Sequence, residues 1–202
     1  METPRLISTM APLLAAMGIV SPAAQADIQR FYDKGEWEAA VDQLGDTTTL
    51  DFTGFQIGEP LTDQYAHLGA TFLSPAWVTV SNGFLNDEWG ARSAFDPGLN
   101  IAFDEPKHWL AADYLGAAAF RLFRDEVFIE QVEFYSDYDP FDFGGIISDA
   151  PFDRVEIVDV TDGAVYIDDV HFGAPVPGPG GMGLLALLCV RQRRRRSGAG
   201  SE

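Results

Sequence analysis

The side chains able to do chemistry in this chain are carboxylates and aromatic rings, and their spacing points to binding rather than bond-making. His67, His108 and His171 are isolated from one another, so none forms a metal-ligating pair at helical spacing. There is no Gly-x-Ser-x-Gly elbow and no His-Glu-x-x-His pair, and the single cysteine, Cys189, lies near the C-terminus. Among 31 acidic residues no pair singles itself out for glycoside hydrolysis, so a cryptic hydrolase is the weakest reading. Trp77, Trp89 and Trp109, with Tyr114, fall at or near expected loops. Flat rings there would stack on a sugar face while loop carboxylates and Asn82 or Asn86 bond its hydroxyls.

Two acidic stretches stand out by position. Val165 and Ile167 share one strand face, whereas Val170 and Phe172 fall in the opposite phase, so the alternation breaks across Asp168-Asp169. Either a bulge resets the phase or one carboxylate turns inward, where it would need a partner. The cluster Asp137, Asp139 and Asp142 lacks the spacing and terminal Glu of an EF-hand loop. Pro140 and the Gly144-Gly145 pair mark that stretch as a mobile connection.

The elements that must position these groups are mostly strands. Trp37, Ala40, Val41 and Leu44 repeat at helical spacing, Asp33 and Glu36 stand as a capping box, and Gly45 supplies a stop. Thereafter the pattern is of short β-rich runs: Thr48 to Phe52, Leu68 to Leu73, Trp77 to Ser81, Leu99 to Phe103, Ala117 to Phe123, Val127 to Tyr135, Arg154 to Val160 and Ala164 to Phe172. Turn residues separate them, and Asp162-Gly163 suits a tight hairpin between the last two. The expected fold is mainly β, an antiparallel β-sandwich of jelly-roll type with one short N-terminal helix.

Both ends of the chain read as processing signals. Arg5, the apolar run Leu6 to Val20 and the small residues Ala24 and Ala26 describe a signal peptide over residues 1–26, cut before Asp27. Residues 27–175 then form one domain of ordinary size. Next come Pro177-Gly178-Pro179, an uncharged apolar helix from Gly180 to Val190, and the cluster Arg193, Arg194, Arg195 and Arg196; residues 197–202 are a polar end. Eleven apolar residues are short of the roughly 20 that cross a bilayer. Residues 176–196 resemble a PEP-CTERM sorting signal in a Pro-Gly-Pro variant. That resemblance implies recognition by an exosortase-type membrane protease, after a signal peptidase has acted at the other end, and an exported protein of a bacterial cell envelope, surface or extracellular matrix.

Charge narrows the partners. Six of the 13 basic residues (Arg5 and five tail arginines) and two of the 31 acidic ones (Glu2 and Glu202) lie outside the domain, which therefore holds seven against 29, a net charge near −22. Such a surface repels nucleic acid and anionic lipid. No disulfide can staple the domain, because Cys189 lies in the tail.

The body has its own likeness. Leu50 to Phe72 and Gly144 to Gly173 resemble the domain found ahead of PEP-CTERM tails, which implies a galactose-binding-like, carbohydrate-module-like sandwich. In related-looking sandwiches a carboxylate at the end of the last strand joins groups of the first around a structural calcium; here Asp51, Asp168 and Asp169 are the candidates. The expected function is non-catalytic binding of carbohydrate or exopolysaccharide, with Trp77, Trp89 and Trp109 as candidate sugar contacts. The alternative is a purely structural matrix or biofilm component.

Overall fold

The computed structural model describes residues 26–80, 89–93, 98–135, 142–160 and 165–175. Residues 1–25 of the leader with Ala24, Asn82, Asn86, Asp137, Asp139, Asp162-Gly163 and the sorting tail with Pro177, Gly178, Pro179 and Arg193 to Arg196 lie outside those residues. In chain order the elements are β1 (Ile28–Phe31), α1 (Lys34–Val41), β2 (Thr47–Leu50), β3 (Pro60–Leu61), β4 (Ala70–Phe72), β5 (Ala76–Val80), β6 (Trp89–Ser93), β7 (Leu99–Tyr114), β8 (Ala117–Arg124), β9 (Val127–Tyr135), β10 (Asp142–Asp159) and β11 (Tyr166–Gly173).

Two long strands build the architecture. β7 and β10 pair antiparallel along their length, with register shifts between Ile147 and Phe152 and again before Arg154. There the pair bends, and each strand passes from one layer into the other, as corner strands of sandwiches do. The first half of β7 and the second half of β10 lie between β4 and β8, and β9 closes this front sheet in the order β4-β7-β10-β8-β9. In the back sheet the second half of β7 lies between β11 and the first half of β10, with β1 beyond β10. The far side of β11 pairs with β6 and β2, and β5 and β3 follow β6. The fold is thus a mainly β, antiparallel sandwich with one α-helix.

Alternation explains the filling. Leu99, Ile101, Phe103, Phe120, Leu122, Val132, Phe134, Val155 and Ile157 point inward from the front sheet and meet Leu110, Ala112, Tyr114, Ile146, Ile167, Val170 and Phe172 of the back sheet. Each such large side chain contributes about 1.5–3 kcal/mol on burial.

A second, smaller core lies outside the back sheet. Asp33 caps α1 by accepting the Glu36 N–H at 2.8 Å, and Gly45 N–H closes onto Val41 C=O. Eight helical residues would not hold alone; Trp37, Val41 and Leu44 bury against Trp109, Ala111, Phe143 and Ile147. Gly144 and Gly145, expected as a mobile connection, lie inside β10 for a packing reason. A methyl on Gly145 would stand 2.6 Å from Trp37 Cδ1, and one on Gly144 2.9 Å from Phe134 Cγ. Glycine here admits the helix and the inner core to contact with the strand.

Candidate functional site on the open sheet face

The inner face of the front sheet is core, so its outer face carries the alternate residues, and among the described residues no helix lies over it. Register lays these residues out as a grid. Thr71, Ala102, Arg154, Phe123 and Phe128 form one row across all five strands. Asn100, Glu156, Arg121 and Gln131 form the next, then Val158, Ala119 and Glu133, then Ala117 and Tyr135. Large polar and aromatic side chains thus rise around small alanines.

Hydrogen bonds fix the polar side chains. Arg121 Nε donates to Gln131 Oε1 at 2.9 Å, Gln131 Nε2 to Glu133 Oε1 at 2.7 Å, and Tyr135 Oη to Glu133 Oε2 at 2.6 Å. The bonds from Tyr135 and Gln131, helped by the charge of Arg30, hold the Glu133 carboxyl below its usual range. The bond to Glu133 raises Tyr135, keeping its proton in place. Arg154 donates to Glu156 at 2.6 Å, pairs with Glu126 at 3.2 Å, and lies 3.8 Å over the Phe123 ring, which itself meets Phe128 edge-on at 5.8 Å. Each guanidinium already has a carboxylate or amide acceptor, so the face offers fixed donors and acceptors without a surplus of positive charge.

Where the sheet turns the corner the grid runs into a cleft of about 440 Å³. Leu73, Phe103 and Pro106 supply its apolar surface, and Arg124, Asp153 and Arg154 its charge. The hairpin between β8 and β9 forms one rim, with Asp125 at φ 49° and Glu126 at φ 65°. Both are left-handed, the geometry of a two-residue hairpin turn ordinarily built from Asn and Gly. Asp153 accepts the Asp125 N–H at 3.0 Å and lies 3.7 Å from Arg124 Nε, which ties the turn to the bend of β10. Arg154 Nε and Arg124 Nη1 are buried donors that find no acceptor among the described residues.

The residues singled out by sequence lie on the other sheet. Trp109 is fully buried (0 % exposed) beneath α1, its indole N–H donating to Thr47 Oγ1 at 3.2 Å, so it belongs to the helix–sheet core and cannot stack on a sugar. Tyr114 is also core, and burial, then the charge of Asp142, pushes its hydroxyl up to about 12. Trp77 is 39 % exposed on β5, and the backbone of Trp89 begins β6. The signal for the front face in the sequence is the alternation in RLFR and VFIEQVEFY, whose outward phase carries Arg121, Phe123, Gln131, Glu133 and Tyr135.

The three candidate calcium ligands are not gathered. A bulge resets β11 between Asp168 and His171, with Asp169 at φ 45°, which is one of the two outcomes the broken alternation allows. Asp169 pairs with Lys34 at 3.4 Å, beside the Lys34–Asp113 pair at 3.2 Å. Burial lowers Lys34, but the two carboxylates outweigh it and leave it raised. Asp51 accepts from Thr53 N–H and hydroxyl, and Asp168 from the Asp169 N–H. The Tyr65 hydroxyl donates to the Asp51 carbonyl, and burial, then the charges of Asp51 and Asp168, raise it. Among the described residues no three His, Cys, Asp or Glu side chains converge, so Asp51, Asp168 and Asp169 do not fit a common calcium shell.

No family model matches the chain, and no curated protein is similar to it in sequence. Among solved structures it is similar to a mutant of the family 29 carbohydrate-binding module CBM29-2. That chain is 16 % identical, with 64 % of this chain and 93 % of that one covered and a TM-score of 0.34.

Proposed function

We propose that this chain is an exported, non-catalytic carbohydrate-binding protein whose front sheet face holds a neutral polysaccharide. The observation that carries the reading is the hydrogen-bonded run Arg121-Gln131-Glu133-Tyr135 beside the Phe123 and Phe128 rings on an open sheet face. Fixed carboxylate and amide acceptors, guanidinium and phenol donors, and exposed ring surface are what a sugar's hydroxyls and C–H face need, and prior fixing lowers the entropic cost of binding. A polyanion is disfavoured, because the chain carries −18 overall and its arginines on this face are already paired. His67, His108 and His171 belong to none of the rows of this grid.

Titration calorimetry against a panel of neutral and anionic polysaccharides tests the proposal. A neutral glycan should bind, and Phe128→Ala and Tyr135→Ala should each weaken it about tenfold, near 1.4 kcal/mol. Binding unaffected by both substitutions would place the ligand elsewhere. Export and exosortase sorting are part of the same proposal and rest on the tail motif. Mass spectrometry of the exported protein should find a mature N-terminus at Asp27 and no Arg193 to Arg196; a secreted protein retaining those arginines would count against sorting by cleavage.

A further inference from the structure

The bulge in β9 re-aims a ring. Counted in steps of two from Tyr135, the outward residues of β9 are Glu133 and Gln131, and Phe128 would fall in the inward phase of Val132 and Phe134. Ile129 breaks that count. Leu122 pairs with Glu130 and Phe123 with Phe128, so one extra residue lies on β9 between the two pairs. Phe128 is thereby turned outward beside Phe123, 53 % exposed, on the face that carries Tyr135, 65 % exposed. Without the bulge the two exposed rings of this strand would lie on opposite sides of the sheet.

These rings stand at opposite ends of the hydrogen-bonded run. Tyr135 lies opposite Ala117 and Phe128 opposite Phe123, six residues apart on β8, which at the rise of a strand is about 20 Å. Between them come Glu133 and Gln131, with Arg121 alongside Gln131, joined by side-chain bonds of 2.6 to 2.9 Å. The order along the strand is ring, acid, amide, ring. No row across the sheet repeats it: the row from Thr71 gathers Phe123 and Phe128 at one side, and the row from Asn100 through Gln131 has no ring.

We propose that the front face takes an extended glycan laid lengthwise along β8 and β9, seated on Phe123 and Phe128 at one end and on Tyr135 at the other. Its shortest full ligand is then a chain of about 20 Å. The proposal rests on the carbohydrate reading of the same face and adds a direction and a minimum length to it. A disaccharide reaches one ring and part of the polar run. A chain that spans the run collects both ring contacts while its loss of free motion is counted once. A glycan that coils away from the sheet meets only one end.

Calorimetry on the full chain with neutral β-linked gluco-, manno- and xylo-oligosaccharides, each from disaccharide to hexasaccharide, tests this. In a series that binds, affinity should rise about a hundredfold from disaccharide to hexasaccharide and level off once the chain spans both ends. Phe128→Ala and Tyr135→Ala should each weaken the hexasaccharide about tenfold and together about a hundredfold, because the two positions are far apart. The disaccharide should respond to one of them at most. Melting temperatures should stay at the native value, since both rings are exposed. A disaccharide bound as tightly as the hexasaccharide, or a hexasaccharide indifferent to either substitution, would overturn the lengthwise seat and leave carbohydrate binding standing. If neither these series nor their parent polymers bind, the carbohydrate reading fails and the seat fails with it.

Discussion

The two outer faces of the sandwich are made partly from the same two strands, yet one is a core and the other a surface. Along the first half of β10 the outward residues are Phe143, Gly145 and Ile147, which receive α1. Past the bend the outward residues of the same strand are Arg154 and Glu156. β7 runs the opposite way, from Asn100 and Ala102 at its start to Trp109 and Ala111 beneath the helix. The bend is therefore also a chemical boundary, and what lies over a face is written in its outward phase. This difference predicts that substitutions on the covered face act on stability, and those on the open face on binding.

The largest effect should come from the covered face. Trp37→Ala or Trp109→Ala removes a fully buried ring and should cost about 3–5 kcal/mol in chemical denaturation. Tyr135→Ala, on the open face, should change stability by no more than about 0.5 kcal/mol. Equal losses at the two positions would mean that the faces are not distinct. Gly145→Ala is a finer probe, because it adds a methyl where α1 meets the sheet. With its Cβ 2.6 Å from Trp37 and 2.9 Å from Phe143, overpacking should cost about 1–3 kcal/mol.

Much of the fold could be read from alternation, but the candidate site could not. β9 was expected at its observed bounds and α1 by its cap, because period and turn residues specify local structure directly. The second half of β7 was missed since Asp104, Glu105, Pro106 and Lys107 read as a turn; they form the bend at which the strand changes sheets. Gly144 and Gly145 misled in the same way, because glycine for close packing and glycine for mobility look alike until the partner, here Trp37, is in place. The tryptophans drew attention to the back sheet through a correct premise, that rings bind sugars, but Trp109 spends its ring on α1. The front face relies on smaller rings and on pairings between strands distant in sequence, which no single segment reveals.

A pH titration probes the junction under α1. His171 is buried beside Trp37, its Nδ1 2.8 Å from Thr49 Oγ1 and its Nε2 without a partner among the described residues. Burial first, then the charge of Lys34, lowers its pKa, and the opposing pull of Asp169 does not compensate. A base whose folded pKa lies below the unfolded value of about 6.5 favours folding while it is neutral. Its stabilisation is thus full above that value and declines as pH falls from there toward the lowered folded pKa. Melting temperature followed from pH 7 downward should decline more steeply in the native chain than in His171→Gln. Parallel curves would show that the ring titrates without strain.

The smallest effect belongs to the rim of the open cleft, where two forces oppose. Glu126 holds a left-handed backbone at φ 65°, a conformation that costs a non-glycine residue about 1–2 kcal/mol. Its carboxylate pairs with Arg154 at 3.2 Å, but it is exposed, and such pairs contribute about 0–1 kcal/mol. Glu126→Gly removes both and makes the unfolded chain more flexible, so the net change in stability should lie within about 1 kcal/mol of zero. Binding should respond more than folding, because Arg154 loses a carboxylate that orients its guanidinium over Phe123. Glu126→Gln, which keeps the backbone and removes only the charge, separates the two contributions. If Glu126→Gly weakens glycan binding and Glu126→Gln does so equally, the ion pair governs the rim; if only the glycine variant does, the fixed turn governs it.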